Sequence, residues 1–298
     1  MNLPVFRFAP SPNGLLHLGH AYSALLNRDM TEAAGGRLLL RIEDIDPGRC
    51  TPDLEQAILE DLHWLGVRWE GAVRRQSQHL PDYARLLARL QAGQLVYPCF
   101  CSRGDVRAAV AAGGPDWPRD PDGAPVYPGT CRNLPPARVS EQLASGQPHV
   151  WRLDMKVAVA GLGGTLRWSD AGEDGAIRDI SADPAAWGDP VLARRDVPTS
   201  YHLSVVHDDA LQGITHVVRG RDLYFATSLH RLLQELLGLP APVYRHHRLI
   251  LGEDGRKLAK SAGSASLRDL RETGHSPEDI RMLVGLSPPR GSTAMPPP

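Results

Sequence analysis

Apolar positions along the chain alternate between two periods. Residues 5–9 (Val-Phe-Arg-Phe-Ala) read as a short buried strand, residues 10–18 as a Pro/Gly loop, and residues 19 to about 34 as a helix closed by Gly35 and Gly36. Residues 37–42 (Arg-Leu-Leu-Leu-Arg-Ile) read as a second strand that delivers Glu43, Asp44 and Asp46 to a loop at its carboxyl end. Thr51 offers an N-cap with Pro52 at the first helical position, and Leu54, Ile58, Leu59, Leu62 and Leu65 keep the 3.6 period of the next helix. A further helix is predicted over about residues 82–92. Strands alternating with helices predict a parallel sheet, and ligands on such sheets bind outside the carboxyl ends of the strands. Both the histidine-bearing loop and Glu43 fall at such ends.

From about residue 98 to 138 the pattern gives way to Cys, Gly, Pro and Asp with little periodicity, which marks an insertion. Regular patterning resumes at residues 150–153 and strengthens at 201–206, 215–219, a helix over about 222–237, and 244–251. A short helical stretch reaches about residue 286, and the Pro- and Ser-rich residues 287–298 read as a disordered tail.

Composition narrows the class. A chain of 298 residues, 42% hydrophobic and 22% charged, can bury one large core or one core plus a small appendage. No basic and apolar leader opens the sequence and no apolar run approaches the ~20 residues that span a bilayer, so a cytoplasmic protein with no membrane partner is expected, as a monomer. The formal net charge of -1 supplies no global field for nucleic acid, although Arg245, His246, His247 and Arg248 could form a local basic contact or simply a solvated strand end. Lysine is scarce. Of the 33 basic residues three are lysines, Lys156, Lys257 and Lys260, and two of them share the pentapeptide Lys257-Leu258-Ala259-Lys260-Ser261. A compact ammonium kept twice in an arginine-rich chain suggests work a planar guanidinium does poorly.

The loop at residues 10–20 (Pro-Ser-Pro-Asn-Gly-Leu-Leu-His-Leu-Gly-His) has its own logic. Gly19 permits close backbone approach, and the following helix presents free amides and a positive dipole to an anion such as phosphate. His17 and His20 are three apart, so both imidazoles can face that anion. Donors preorganised where charge develops on phosphoryl oxygens supply much of the catalysis in such transfers.

Four ordered segments carry a resemblance: residues 7–20, residues 40–46 (Leu-Arg-Ile-Glu-Asp-Ile-Asp), residues 208–220 and residues 257–261. Together they resemble the catalytic domain of class I glutamyl-tRNA synthetases. The resemblance implies an α/β fold with a Rossmann-type parallel-sheet nucleotide-binding core, in which the histidine loop and the lysine segment close on ATP. It implies the first half of that core over residues 1–97, an inserted zinc-bearing segment over 98–138, a connecting region and second half over 139–262, and a short helical extension over 263–286. His17, His20, Lys257 and Lys260 are then the expected catalytic residues, with Gly19, His17, His20 and Lys260 on ATP and Lys260 on the pyrophosphate leaving group. Ala259 stands where the family usually has serine, which removes a hydroxyl but not the charge. Mg²⁺ is expected with ATP, held by phosphates and water.

Glutamate carries two carboxylates and one ammonium, so a selective pocket wants two cationic forks and one anion. Arg7, Arg219 and Glu43, each at a strand end, fit that demand, and the resemblance adds Ala9, Ser11 and Tyr201. The plainer alternative makes Glu43 and Asp46 surface partners of Arg41 and Arg49.

Cys99, Cys101 and Cys131 cluster in the insertion, away from Cys50. In a reducing compartment such thiols suggest metal before disulfide, and three thiolates plus one further ligand would complete a tetrahedral Zn²⁺ site. Resemblance to a short, stand-alone subgroup of these synthetases supplies Tyr127 as the fourth ligand. It also bears on the acceptor, since the sequence ends about 40 residues after the lysine segment. With no large helical anticodon-binding region expected, that subgroup implies tRNA-independent activation of L-glutamate and transfer to the queuosine base in the anticodon of tRNA(Asp). A shortened enzyme charging a tRNA 3′ end, or a non-catalytic binding paralogue, are the alternatives.

Overall fold

A computed structural model of the chain describes residues 3–252 and 265–287. Strand β1 (Val5–Phe8) leads through the Pro/Gly loop into α1 (Leu18–Ala33), followed by β2 (Arg37–Ile42), α2 (Pro52–Trp64), the two-residue β3 (Arg74–Arg75) and α3 (Leu80–Ala92). The middle of the chain forms β4 (Val96–Cys99), α4 (Arg103–Ala112), α5 (Pro136–Ala144), β5 (Val150–Leu153), α6 (Met155–Ala160), β6 (Arg167–Ala171), β7 (Ile177–Ser181) and β8 (Val191–Ala193). Then come α7 (Tyr201–Leu211), β9 (His216–Gly220), α8 (Ala226–Leu237), β10 (Val243–His247), α9 (Leu267–Glu272) and α10 (Pro277–Leu283).

Local signals act as their chemistry dictates. The Thr51 hydroxyl accepts from the Leu54 amide at 3.3 Å and caps α2. The helix predicted from residue 82 begins at Leu80, because Pro81 is accommodated in its first turn. The helix predicted from residue 222 begins at Ala226, since Arg221–Leu223 form a 3₁₀ turn. Residues 201–206 lie within α7.

The main sheet runs β3-β2-β1-β9-β10-β6-β7 and is parallel from β3 to β6, as the strand-helix alternation predicts. β7 returns antiparallel along β6 as an edge hairpin, and β4-β5-β8 make a separate antiparallel sheet. One core unites Phe6, Leu25, Ile42 and Ile58 around β1 and β2, and a second joins Leu229, Leu232 and Leu233 of α8 to Leu153, Leu192 and Leu203.

The C-terminal helices belong to the first core. Leu267, Ile280 and Val284 are fully buried in it, each worth about 1.5–3 kcal/mol by the usual transfer estimate. The Leu267 amide donates to the Leu16 carbonyl at 2.8 Å, and His17 and Ser266 form an antiparallel bridge. Both described flanks of residues 253–264 therefore approach the histidine loop, Ile250 lining the same cavity as His17. Lys257 and Lys260 themselves lie outside the described residues, as do residues 288–298 of the predicted tail. Ser287, its first residue, accepts from Arg281 at 3.1 Å. Among the described residues no helix is long and apolar enough to cross a membrane.

Candidate active site

The carboxyl ends of β1, β2 and β9 and the segment after β10 open on a cavity of about 680 Å³. Arg7, Ala9, Ser11, His17, Gly19, His20, Glu43, Tyr201 and Arg219 all line it, so every sequence-selected substrate residue within the described chain meets in one place.

His17 caps α1 with its own side chain. Its Nδ1 accepts from the Gly19 amide at 3.1 Å, while Nδ1 of His20 accepts from the His17 amide at 3.2 Å. Accepting at Nδ1 puts the proton of each neutral ring on Nε2, so both rings carry an N–H donor there. The ring centroids lie 3.9 Å apart. A Cβ at position 19 would meet the His17 ring at 3.0 Å, which explains the glycine without any appeal to unusual backbone angles.

The β1 and β2 wall is a charge cluster. Arg7 Nε donates to Asp209 Oδ1 at 3.2 Å, and the fully buried Arg41 donates to the same oxygen at 2.8 Å and to Gln212 at 2.9 Å. Glu43 lies 3.4 Å from Arg41, and Asp208 lies 3.9 Å from it. Burial alone would raise the Asp209 carboxyl, but Arg7 and Arg41 hold it below the usual range. At Glu43 burial prevails over Arg41 and Arg7, and its pKa is raised. Glu43 is thus no surface partner of Arg41, whereas Asp46 does pair with Arg49 at 2.8 Å, and with Arg194 at 3.3 Å.

The β9 and β10 wall is different. Arg219 donates to His230 Nδ1 (3.1 Å), His246 Nε2 (3.3 Å), the Leu223 carbonyl (3.2 Å) and the Thr227 hydroxyl (2.7 Å). Its guanidinium stands 5.1 Å from the Tyr244 ring centre. Burial, reinforced by Arg219, pushes His246 down to about 2, and burial and Arg219 together hold His230 well below its ordinary value. Burial likewise lifts the Tyr201 phenol to about 12, keeping it a neutral donor.

Asp209 and His230 are neighbours of the site to which the sequence assigns no role, while Arg41 and His246 entered it only as a surface partner of Glu43 and as part of a basic run. Asp209 sits in the 208–220 segment, where two consecutive acids before a strand were its visible sign. The Arg245–Arg248 run is divided: Arg248 is exposed and Arg245 half-buried. His246 and His247 are turned inward, and Arg248 lies 4.8 Å from the Tyr22 ring centre while donating to the Val284 carbonyl at 2.6 Å.

In the insertion the thiols of Cys99, Cys101 and Cys131 all lie within 4.8 Å of one another. Cys101 and Cys131 are 3.5 Å apart, and the Tyr127 oxygen is 3.2 Å from Cys99 and 3.4 Å from Cys101. Tetrahedral thiolates on zinc stand about 3.8 Å apart for metal-sulfur bonds of about 2.3 Å, so the spacing and donor types fit Zn²⁺. Burial pushes the Cys101 thiol up to about 11 and the Tyr127 phenol higher still, so an ion would have to displace protons to bind. Arg152 lies 3.8 Å from the Tyr127 ring centre, and Asp189 ties the segment down by accepting from Arg132 at 2.8 Å and from the Met155 amide at 3.1 Å.

Known proteins match this arrangement. The family described as tRNA synthetases class I (E and Q), catalytic domain, matches residues 5–291. A glutamyl-Q tRNA(Asp) synthetase of Rhodobacter capsulatus is 49% identical over 286 residues, covering 95% of this chain and 100% of that protein. One from Symbiobacterium thermophilum is 40% identical, covering 92% and 83%. The solved structure of a glutamate tRNA ligase from Elizabethkingia meningosepticum in complex with its amino acid superposes with a TM-score of 0.77 at 29% identity, covering 95% of this chain and 61% of that one. The chain spans less than two thirds of that ligase. With the fold, the cavity and the match over residues 5–291 in agreement, the chain belongs to the class I glutamyl and glutaminyl tRNA synthetases, catalytic-domain family.

Proposed function

We propose that this protein activates L-glutamate with ATP to glutamyl-adenylate and pyrophosphate without tRNA, then transfers glutamate to the queuosine base in the anticodon of tRNA(Asp). The observation that carries the activation step is the single cavity shared by Arg7, Glu43, Arg219 and the histidine pair. Arg219 and Arg7 suit the two carboxylates of glutamate, and Glu43 with the hydroxyls of Ser11 and Tyr201 suits its ammonium. Attack of the carboxylate on the α-phosphate builds charge that the Nε2 protons of His17 and His20 can meet, beside the positive end of the α1 dipole, whose Gly19 and His20 amides are already taken by His17. Lys260 is assigned to the pyrophosphate and Lys257 to closing that segment, both on the sequence motif alone. Magnesium would arrive with ATP: among the described residues the cavity lining offers Glu43 and Asp222 but no cage of carboxylates.

The acceptor rests on a different ground. Relatives named glutamyl-Q tRNA(Asp) synthetase align with this chain over 100% and 83% of their own length. A hydroxyl of the queuosine cyclopentenediol would attack the activated carbonyl, with no covalent enzyme intermediate. Cys99, Cys101, Cys131 and Tyr127 would hold Zn²⁺, which would brace the insertion against β4 and β5. Reduced thiols serving a metal suit a cytoplasmic protein, and the same reading makes it a monomer.

The test is ATP-dependent transfer of labelled glutamate to purified tRNA(Asp) with and without queuosine, beside tRNA(Glu). Label on queuosine-bearing tRNA(Asp) alone is expected. Label on tRNA(Glu) would replace this acceptor with a tRNA 3′ end.

A further inference from the structure

Buried arginines in this chain usually reach a carboxylate. Arg7 and Arg41 share Asp209, and Arg281 takes Asp29 through two bonds at 3.1 and 2.8 Å; the half-buried Arg74 likewise reaches Asp208 at 2.9 Å. Arg219 is 5% exposed, yet among the described residues no carboxylate lies within ion-pair distance of it. Its partners are two imidazoles, a hydroxyl and a carbonyl.

Those partners come from a built feature. Thr227, His230 and Gln234 recur at helical spacing along α8, all 1% exposed or less, so an entire polar stripe faces the sheet where apolar residues would ordinarily pack. Gln234 donates to the Tyr244 hydroxyl at 2.9 Å. From the sheet, His246 on β10 is the register partner of Arg219 on β9. Because arginine has donors only, His230 must accept at Nδ1 and carry its proton on Nε2, where it donates to His202 Nδ1 at 3.1 Å. By the same logic His246 accepts at Nε2 and carries its proton on Nδ1, donating to Asp170 Oδ1 at 3.3 Å. The nearest acid on this path is thereby kept one ring away from the guanidinium.

We propose that His230 and His246 are positioning residues that orient Arg219 as neutral acceptors, so that its full positive charge stays available to a substrate carboxylate. This rests on the assignment of Arg219 to glutamate. An aspartate or glutamate in their place would hold the fork equally well but satisfy it, and the substrate would then compete with a resident anion. Burial and the Arg219 charge both oppose protonation of the two rings, which keeps them acceptors at neutral pH.

The experiment is tRNA-free, glutamate-dependent pyrophosphate exchange on the full chain, with KM measured separately for glutamate and ATP. His230→Gln, which keeps an acceptor, should hold the glutamate KM within about 3-fold of wild type; His230→Glu should raise it by about 30-fold or more with the ATP KM unmoved. A folded His230→Glu protein with the wild-type glutamate KM would overturn the proposal, as would equal rises in both KM values. If His230→Glu fails to fold, imidazole ¹⁵N shifts of the wild-type protein decide. Neutral rings protonated at Nε2 of His230 and Nδ1 of His246 are expected; imidazolium or the opposite tautomers at pH 7 would overturn it. Absence of exchange in the wild type would instead remove the glutamate assignment, and the ¹⁵N shifts would still judge the hydrogen-bond network by itself.

Discussion

The two walls of the cavity hold arginines of nearly equal burial in opposite electrostatic settings. Arg7, 4% exposed, shares a carboxylate with Arg41 and has Glu43 close by; Arg219, 5% exposed, is gripped by four neutral acceptors. The first wall is nearly neutralised from within, so an ammonium can approach Glu43 without meeting a net cation. The second retains a whole positive charge in a desolvated place, where it acts most strongly on an anion. Side-chain identity alone would have ranked the two arginines alike. Their partners separate them.

Breaking the first wall should have the largest effect. Asp209→Asn leaves Arg7 and Arg41 buried without their shared anion and should cost about 3–5 kcal/mol of stability in urea unfolding. Breaking the second should act on substrate instead. Arg219→Lys keeps the charge but loses the fork, and exchange kcat/KM for glutamate should drop about 100-fold, or about 3 kcal/mol, with unfolding much less affected.

The neutral wall also predicts a pH response. His202, depressed by burial to about 4, His230, well below its ordinary value, and His246, at about 2, all bind protons more readily unfolded than folded. Their contribution is present above the unfolded value of about 6.5 and lost as pH falls toward the folded values, about 2 kcal/mol for each ring between pH 7 and 5. Asp61, raised by burial to about 6, works in the reverse direction over the lower part of that range. His230→Gln should therefore lose about 2 kcal/mol less stability than wild type between pH 7 and 5 in paired denaturation curves. The smallest effect concerns the floor shared by both walls. Gly19→Ala forces the His17 ring aside and should slow exchange by about tenfold while glutamate KM changes little.

How far the sequence reaches follows the same division. Arg7, Glu43 and Arg219 were legible because each ends a strand whose apolar pattern is plain, and parallel sheets gather ligands at strand ends. Their partners were not. Asp209 lies 202 residues from Arg7, and His230 and His246 reach Arg219 only after α8 and β10 pack, which no local period encodes. The β6 and β7 hairpin was equally hidden, since Arg-Trp-Ser-Asp-Ala and the edge strand Ile-Arg-Asp-Ile-Ser are both mostly polar. The thiol spacing could be read directly, whereas the approach of Tyr127 depends on an irregular loop held by Trp117, whose indole donates to the Val126 carbonyl at 2.8 Å. The C-terminal helices read as an extension because their apolar residues are few, yet Leu267, Ile280 and Val284 complete the core beneath the histidine loop.

Pyrophosphate exchange by the full chain with no tRNA present, comparing glutamate with glutamine, reads the charge asymmetry of the two walls. Arg219, with no carboxylate partner among the described residues, opposite a balanced first wall predicts exchange with glutamate and at least about 100-fold less with glutamine, which offers one carboxylate fewer. Equal exchange with the two amino acids, or exchange only after tRNA is added, would contradict the account.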